Sequence, residues 1–169
     1  MTKGHLSLLL IWIAVVALTP TPRIYASPGS EAGESMENSI PLKMELYSGG
    51  YLSGGVAVVL KDGAVQVRRT GPSGEEGHEK TVTPGVSAWK AFRLVCDLLN
   101  IWDWKETYVD RNIMDGHQWS IDLVYPDKTL KSSGSNSYPP GGQSIASGRT
   151  PEFIAFWYVV DGLTKDSND

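Results

Sequence analysis

The stretch VAVVLKDGAVQVRR, residues 56–69, decides the fold class of this chain. Two runs rich in valine are separated by the dipeptide Asp62-Gly63. Asp-Gly suits a two-residue hairpin turn because both central positions of that turn take positive φ angles. The stretch therefore predicts two antiparallel strands joined by a tight turn.

The residues before this hairpin predict a third strand. Leu42, Met44 and Leu46 alternate with polar or amphipathic side chains, which is typical of a strand with one buried face. The glycine-rich segment SGGYLSGG, residues 48–55, predicts a turn or a bulge between this strand and the hairpin. Consecutive strands with short connections favour an antiparallel sheet.

A helix is predicted to follow, beginning at Thr83-Pro84, because Thr caps helices and Pro suits the first helical position. One apolar stripe runs along it and predicts packing against a sheet. Its members are Trp89, Phe92, Val95, Cys96, Leu99 and Trp102. Cys96 is the single cysteine of the chain, so we expect a buried, inert thiol and no internal disulfide.

The second half repeats this order. Asp115-Gly116 and Pro126-Asp127 predict turns around an alternating strand, and Thr150-Pro151 predicts a second helix start. Both halves thus contain a hairpin, a glycine-rich loop and a Thr-Pro helix, which suggests a duplicated hairpin–helix unit. The predicted fold is α+β, a single domain over residues 41–165 in which an antiparallel sheet carries two helices on one face.

The second helix is apolar on nearly every side over residues 153–160. Two interpretations fit this pattern. The helix lies deep between the sheet and the first helix, or it presents an aromatic face to a partner.

The loop SGSNSYPPGG, residues 133–142, also has two interpretations. Asn136 suits a turn, since it tolerates left-handed φ angles, and Tyr138 is held extended by the proline after it. These features predict a strand exit that sets Tyr138 against the sheet. Alternatively, Asn136 and Tyr138 belong to a recognition loop.

The segment DGHQWSIDLVYPDKTLKSSGSNSYPP resembles a pattern in uncharacterised bacterial exported proteins. In that pattern an Asp-Gly turn and a Trp-bearing strand lead to a Gly-x-Asn-x-Tyr-Pro exit and a closing helix. The resemblance covers about the last third of the chain and implies no established activity. The matching residues here are Asp115, Gly116, Trp119, Gly134, Asn136, Tyr138 and Pro139.

The first 26 residues predict a secretory signal peptide. Lys3 precedes an apolar run over residues 6–18, and Ala26 ends a plausible cleavage site. The run is short for a membrane span, and an uncleaved anchor is the alternative. Residues 27–40 are small and acidic and predict a flexible tether, and residues 166–169 predict a disordered tail. We therefore expect an exported protein, periplasmic or secreted, without an integral span after cleavage.

Charge and motifs exclude several classes of function. The net charge is −4, and removing Lys3 and Arg23 with the signal peptide takes it two units lower, to −6. An acidic chain is a poor partner for nucleic acid, which requires clustered Lys and Arg. Walker, nucleophile-elbow, His-Glu-x-x-His and Cys-x-x-Cys motifs are absent from the sequence, so we expect no cofactor.

Catalytic or metal-binding candidates are few. His117 with Asp110 and Asp115 is the best set, although these residues straddle a predicted turn that already explains Asp-Gly. His78 lies in an acidic, glycine-containing loop. We therefore expect neither a catalytic residue nor a metal site.

The sequence favours a non-enzymatic module that binds an envelope or extracellular protein. Trp102, Trp104 and Tyr108 follow the first helix closely, and as interface anchors they would bury large area at little entropic cost. The competing interpretation is that the two tryptophans close the bottom of the core. The alternative function is a small envelope enzyme or metal-binding protein that uses the loops around His78 and His117.

Overall fold

The structure is a computed structural model that describes residues 39–50, 52–75 and 77–165. The expected signal peptide, almost all of the expected tether and the expected tail lie outside these residues. Within the described ranges, neither helix has the length and apolar character needed to cross a membrane.

Within the described residues, seven strands form one sheet, and a two-stranded ribbon and two α-helices accompany it. The spatial order of the seven is β4-β3-β2-β1-β6-β7-β5, and every neighbouring pair is antiparallel except β5 and β7, which are parallel. The elements are β1 (Lys43–Gly50), β2 (Gly54–Lys61), β3 (Ala64–Thr70), β4 (Glu79–Val82), α1 (Val86–Leu98), β5 (Thr107–Val109), β6 (His117–Val124), β7 (Thr129–Ser135), β8 (Ser137–Tyr138), β9 (Gln143–Ser144) and α2 (Pro151–Leu163).

The predicted β2–β3 hairpin is confirmed. Lys61 pairs with Ala64 across the turn, and the two residues between them have φ angles of 51° at Asp62 and 79° at Gly63. Positive φ at both positions is what a two-residue hairpin turn requires. The glycine-rich segment before it contains the end of β1 and the start of β2, where Gly50 pairs with Gly54, so these two strands also form a hairpin.

Both helices lie on one face of the sheet, as predicted. Met44, Val58 and Ile121 point from the sheet into a core that also contains Phe92 of α1 and Phe156 of α2. The other face of the sheet carries half-exposed and polar side chains such as Tyr47 and Glu45. The predicted α+β class is therefore confirmed, with one parallel pair at the sheet edge.

The two hairpins, β2–β3 and β6–β7, flank β1 on its two sides. Each is antiparallel to β1 through its inner strand, and each precedes a helix in the chain. The halves differ at the sheet edges, where β4 is antiparallel to β3 and β5 is parallel to β7. Descent from a duplicated unit stays a prediction.

The two expected helix starts have different outcomes. At α2, Thr150 caps the helix by accepting a hydrogen bond from the backbone N–H of Phe153 at 3.2 Å, and Pro151 is the first helical residue. At α1 the prediction is wrong by two residues, because the helix begins at Val86. The chain stays extended through Gly85, whose carbonyl accepts the first helical hydrogen bonds from Ala88 and Trp89.

Fewer residues of α1 are fully buried than the six of the predicted apolar stripe. Trp89, Phe92 and Cys96 are buried, and burial raises the pKa of the Cys96 thiol, as suits an inert cysteine. The helix ends before Asn100, whose φ angle of 48° is left-handed. A short 3₁₀ turn, Ile101–Asp103, follows, and Ile101 of this turn is buried in the core.

Candidate functional site

Asn136 is a structural residue at the exit from β7. It is 1% exposed and has a left-handed φ angle of 57°. Its side-chain oxygen accepts a hydrogen bond from the backbone N–H of His117 at 2.7 Å, and its side-chain nitrogen donates to the carbonyl of Ile113 at 2.9 Å. The side chain therefore binds the turn before β6 and is turned away from solvent.

Tyr138 also lies in the core. Its ring centroid is 4.8 Å from that of Phe153 and 5.6 Å from that of His117. The side chain of Tyr138 has no solvent exposure and packs against the sheet and α2, as the strand-exit interpretation expects.

The aromatic residues after α1 close the bottom of the core. Trp104 is 6% exposed and stacks edge-on against Phe156 at 5.8 Å. Tyr108 is 4% exposed, and its hydroxyl accepts a hydrogen bond from the backbone N–H of Lys105 at 2.9 Å. Neither ring presents the exposed area that an interface anchor needs.

Trp102 is half-buried and belongs to a charged network at the end of α1. Its indole nitrogen donates to Asp97 at 2.7 Å, and the guanidinium of Arg93 lies 5.1 Å from its ring centroid. Arg93 in turn forms two hydrogen bonds with the carboxylate of Asp127, at 2.9 and 2.7 Å. This network ties α1 to the β6–β7 turn.

Of the five residues predicted for binding, four are buried, namely Trp104, Tyr108, Asn136 and Tyr138. The binding surface proposed below does not contain them. The left-handed Asn100 lies between α1 and the 3₁₀ turn, and Trp104 and Tyr108 after it lie in the core.

The metal candidates do not form a cluster. His117 is 5% exposed, whereas Asp110 caps its own turn by accepting from the backbone N–H of Asn112, and Asp115 occupies a positive-φ turn position. Within residues 39–50, 52–75 and 77–165, no three His, Cys, Asp or Glu side chains are grouped so that they could hold a metal ion. His78 is exposed and does not line the cavity that contains His117.

His117 lines a polar cavity that spacing alone did not reveal. The cavity measures about 330 Å³ and lies at the end of the β1–β2 hairpin, near the start of α2. The hydroxyl of Ser48 lies 2.9 Å from the imidazole Nε2 of His117. Ser48 and His117 meet because β1 and β6 are neighbours, with Ser48 paired to Trp119 and Gly50 paired to His117.

Burial, together with the nearby charge of Arg149, lowers the pKa of His117 to about 4. The imidazole is therefore neutral at pH 7. A serine nucleophile is normally activated by a histidine whose second nitrogen is oriented by a carboxylate. Here the Nδ1 of His117 is buried and has no hydrogen-bond partner within the described residues. The pair can bind a polar group but lacks the third member of a hydrolytic triad among those residues.

A second candidate is an apolar surface on the two helices, which we call the α1–α2 surface. It consists of four exposed side chains, Leu94, Leu98, Ile154 and Tyr158, with exposures of 58%, 74%, 55% and 78%. Ile154 and Tyr158 of this surface also line a groove of about 690 Å³, whose other lining residues are Val95, Pro151, Ala155, Val159 and Gly162.

The sequence explains why this surface stays uncovered. The second helix is apolar on nearly all sides, so burying Phe153, Phe156, Val160 and Leu163 leaves Ile154 and Tyr158 outside. One face of α2 is therefore core, as the first interpretation expects, and another face is exposed; its contact with a partner stays a prediction. On α1, Leu94 and Leu98 are four residues apart and off the core stripe, which was the available sequence signal.

The outer face of the sheet is a weaker candidate. It also has a depression, of about 610 Å³, but charged residues line it. Lys43 next to it pairs with Asp122 at 2.7 Å and with Glu45 at 3.2 Å. Such paired charges are typical of a solvated face.

Comparison with known proteins adds no family. No protein-family model matches the chain, and no curated protein matches it. The resemblance to bacterial exported proteins therefore stays a prediction.

Proposed function

We propose that the protein is an exported, non-enzymatic module that binds another protein of the cell envelope or the extracellular space through the α1–α2 surface. The observation that supports this function is the exposure of Leu94, Leu98, Ile154 and Tyr158 on two packed helices. Exposed apolar side chains are costly to leave in water, and a large exposed apolar patch beside an apolar groove often marks an interaction site.

The groove indicates the chemistry of the partner. Its lining contains no charged side chain, and Ala155 and Gly162 leave room for a side chain to enter between larger neighbours. We therefore propose that the occupant is an apolar segment of a different protein, with its own side chains inserted along the groove. A second copy of this chain would bring an equal net negative charge, which disfavours self-association.

The proposed location rests on the N-terminal sequence. The apolar run over residues 6–18 and the cleavage site at Ala26 support export to the periplasm or the medium. The acidic charge supports a protein partner over nucleic acid.

A substitution pair tests this function. Ile154→Asp places a charge in the groove, and Met114→Asp places the same charge at a site that is 84% exposed in a loop before β6. Tagged variants would be used to capture proteins from an envelope extract, with identification by mass spectrometry. We expect one identified protein to be captured by the wild type and by Met114→Asp and lost with Ile154→Asp. Equal capture by all three forms, or self-association as the only product, would contradict the proposal.

An enzyme is the second candidate, and it rests on the 2.9 Å contact between Ser48 and His117. If Ser48 is a nucleophile, Ser48→Ala abolishes turnover of an ester substrate while Ile154→Asp leaves it unchanged. The missing carboxylate among the described residues makes this the weaker of the two functions.

A further inference from the structure

We infer that the cavity containing Ser48, His117 and Arg149 is a binding site for a small organic anion, with a carboxylate or phosphate head and a short apolar body. This inference goes beyond the proposed protein-binding function, because the site lies apart from the groove residues of the α1–α2 surface.

The charge of the cavity favours an anion. Arg69 and Arg149 line it, and none of its lining residues is acidic, although the chain as a whole is negative. Guanidinium groups suit carboxylate and phosphate because their N–H donors match the two oxygens of such a head.

The two arginines are available for a ligand. Arg149 has no hydrogen bond or ion pair with another residue of the described ranges. Arg69 has one contact, to the carboxylate of Asp161 at 3.3 Å, and both side chains in that pair are about half exposed. An exposed pair of this kind contributes little stability and is readily exchanged for a better-placed anion.

Further donors surround the arginines. Three hydroxyl side chains line the cavity, those of Ser48, Ser53 and Thr70. The hydrogen bonds of Ser53 to backbone carbonyls are long, at 3.3 and 3.5 Å, so its hydroxyl can reorient toward a ligand. Glycines at positions 49, 54 and 55 leave the backbone at this end of the hairpin bare of side chains.

One residue that lines the cavity also carries a buried polar atom without a partner among the described residues. His117 lines the cavity and is only 5% exposed. Its Nδ1 has no hydrogen-bond partner within the described residues. Native proteins pair nearly all such groups, so an unpaired one calls for an explanation, and a bound water or ion is one of them.

An adjoining cavity supplies the apolar part. It measures about 200 Å³ and shares Ser48, Val56, Arg69 and Arg149 with the first. Val58, Trp157 and Val160 add apolar surface to it, and its remaining lining residues are Thr164 and Asp161, the ion-pair partner of Arg69. The indole nitrogen of Trp157 is also buried without a partner among the described residues. A ligand of a few carbons would place its head at the arginines and its body against Trp157.

Two probes and a pair of variants test the site. The protein as purified from expressing cells would be titrated with inorganic phosphate and with hexanoate, while NMR follows the Trp157 indole and the His117 imidazole. Arg149→Gln removes a cavity charge. Arg68→Gln is the matched control, because Arg68 neighbours Arg69 in the chain but lines the outer face of the sheet.

We expect saturable shifts of both signals with hexanoate, at least tenfold weaker affinity in Arg149→Gln, and affinity within twofold of wild type in Arg68→Gln. Phosphate that saturates the same signals while hexanoate does not would retain the anion site and overturn its apolar part. Shifts that never saturate with either probe, or equal weakening by both variants, would overturn the inference. Ile154→Asp should bind hexanoate like the wild type, so failure of this site and failure of the proposed protein-binding function are distinguishable.

Discussion

Asn136 and His117 are joined by two hydrogen bonds across the β6–β7 pair. The backbone N–H of His117 donates to the side-chain oxygen of Asn136 at 2.7 Å, and the backbone N–H of Asn136 donates to the carbonyl of His117 at 2.9 Å. The loop that leaves β7 is thereby fastened to the first residue of β6, which holds the imidazole beside Ser48.

Asn136→Ala should destabilise the protein by about 2 kcal/mol or more. The change leaves the N–H of His117 and the carbonyl of Ile113 without their partners, and it puts alanine at a φ angle of 57°. Urea unfolding followed by circular dichroism measures this effect. Asn112→Ala, at an exposed turn position, is the control and should change stability little. An unchanged urea midpoint for Asn136→Ala would contradict the structural role.

Arg93→Lys should cost about 1–2 kcal/mol of stability even though it keeps the positive charge. Lysine cannot form the two parallel hydrogen bonds to Asp127 together with the contact to Asp97 at 2.9 Å. It also loses the stacking on Tyr125, whose ring centroid lies 4.6 Å from the guanidinium. Lys90→Ala on the exposed side of α1 serves as control, and equal unfolding midpoints for Arg93→Lys and wild type would refute the prediction.

Acid should lower the free energy of unfolding because the carboxylate of Asp97 becomes protonated. Partial burial opposes its ionisation, but hydrogen bonds from Arg93, Lys128 and Trp102 outweigh burial and lower the pKa of its carboxyl from 3.8 to about 2. Between these values the unfolded chain binds more protons than the folded chain, so the stability is present above pH 3.8 and is lost as pH falls toward 2. Unfolding midpoints measured across this range should fall more steeply in wild type than in Asp97→Asn. Parallel curves would show that Asp97 is not involved.

His117 should make stability depend on pH at milder acidity. Its pKa is lowered from 6.5 to about 4 by burial and by Arg149, so between these values the unfolded chain binds the extra proton. The free energy of unfolding should therefore be highest above pH 6.5 and decline toward pH 4, by on the order of 3 kcal/mol. NMR titration of the imidazole in the folded protein measures the pKa directly. A folded-state value near 6.5 would contradict the burial argument.

Local patterns predicted most of the fold. Asp62-Gly63 predicted its hairpin because both residues accept the positive φ angles that the turn needs, and Thr150-Pro151 predicted a helix start through a local cap. Thr83-Pro84 failed because the choice among Thr83, Pro84 and Gly85 depends on how long β4 remains paired with β3. That pairing is a long-range interaction.

The candidate sites were harder to predict because they depend on which elements become neighbours. Ser48 and His117 are far apart in sequence and meet only because β6 pairs with β1. Trp104 and Tyr108 had the composition of interface anchors, yet the turn at Asn100 buries them. The exposure of Leu94 and Leu98 could have been predicted from the sequence, since both lie off the core stripe of α1.

Site-specific photo-crosslinking tests the proposed protein-binding function most directly. A benzophenone-bearing phenylalanine analogue would replace Tyr158 on the α1–α2 surface or, as the control, Tyr47 on the outer face of the sheet, where exposure is 40%. On irradiation in producing cells, we expect the analogue at position 158 to form an adduct with one other protein and the analogue at position 47 to form none with it. Absence of that adduct at position 158, equal adducts at both positions, or adducts of this chain only with itself would contradict the account.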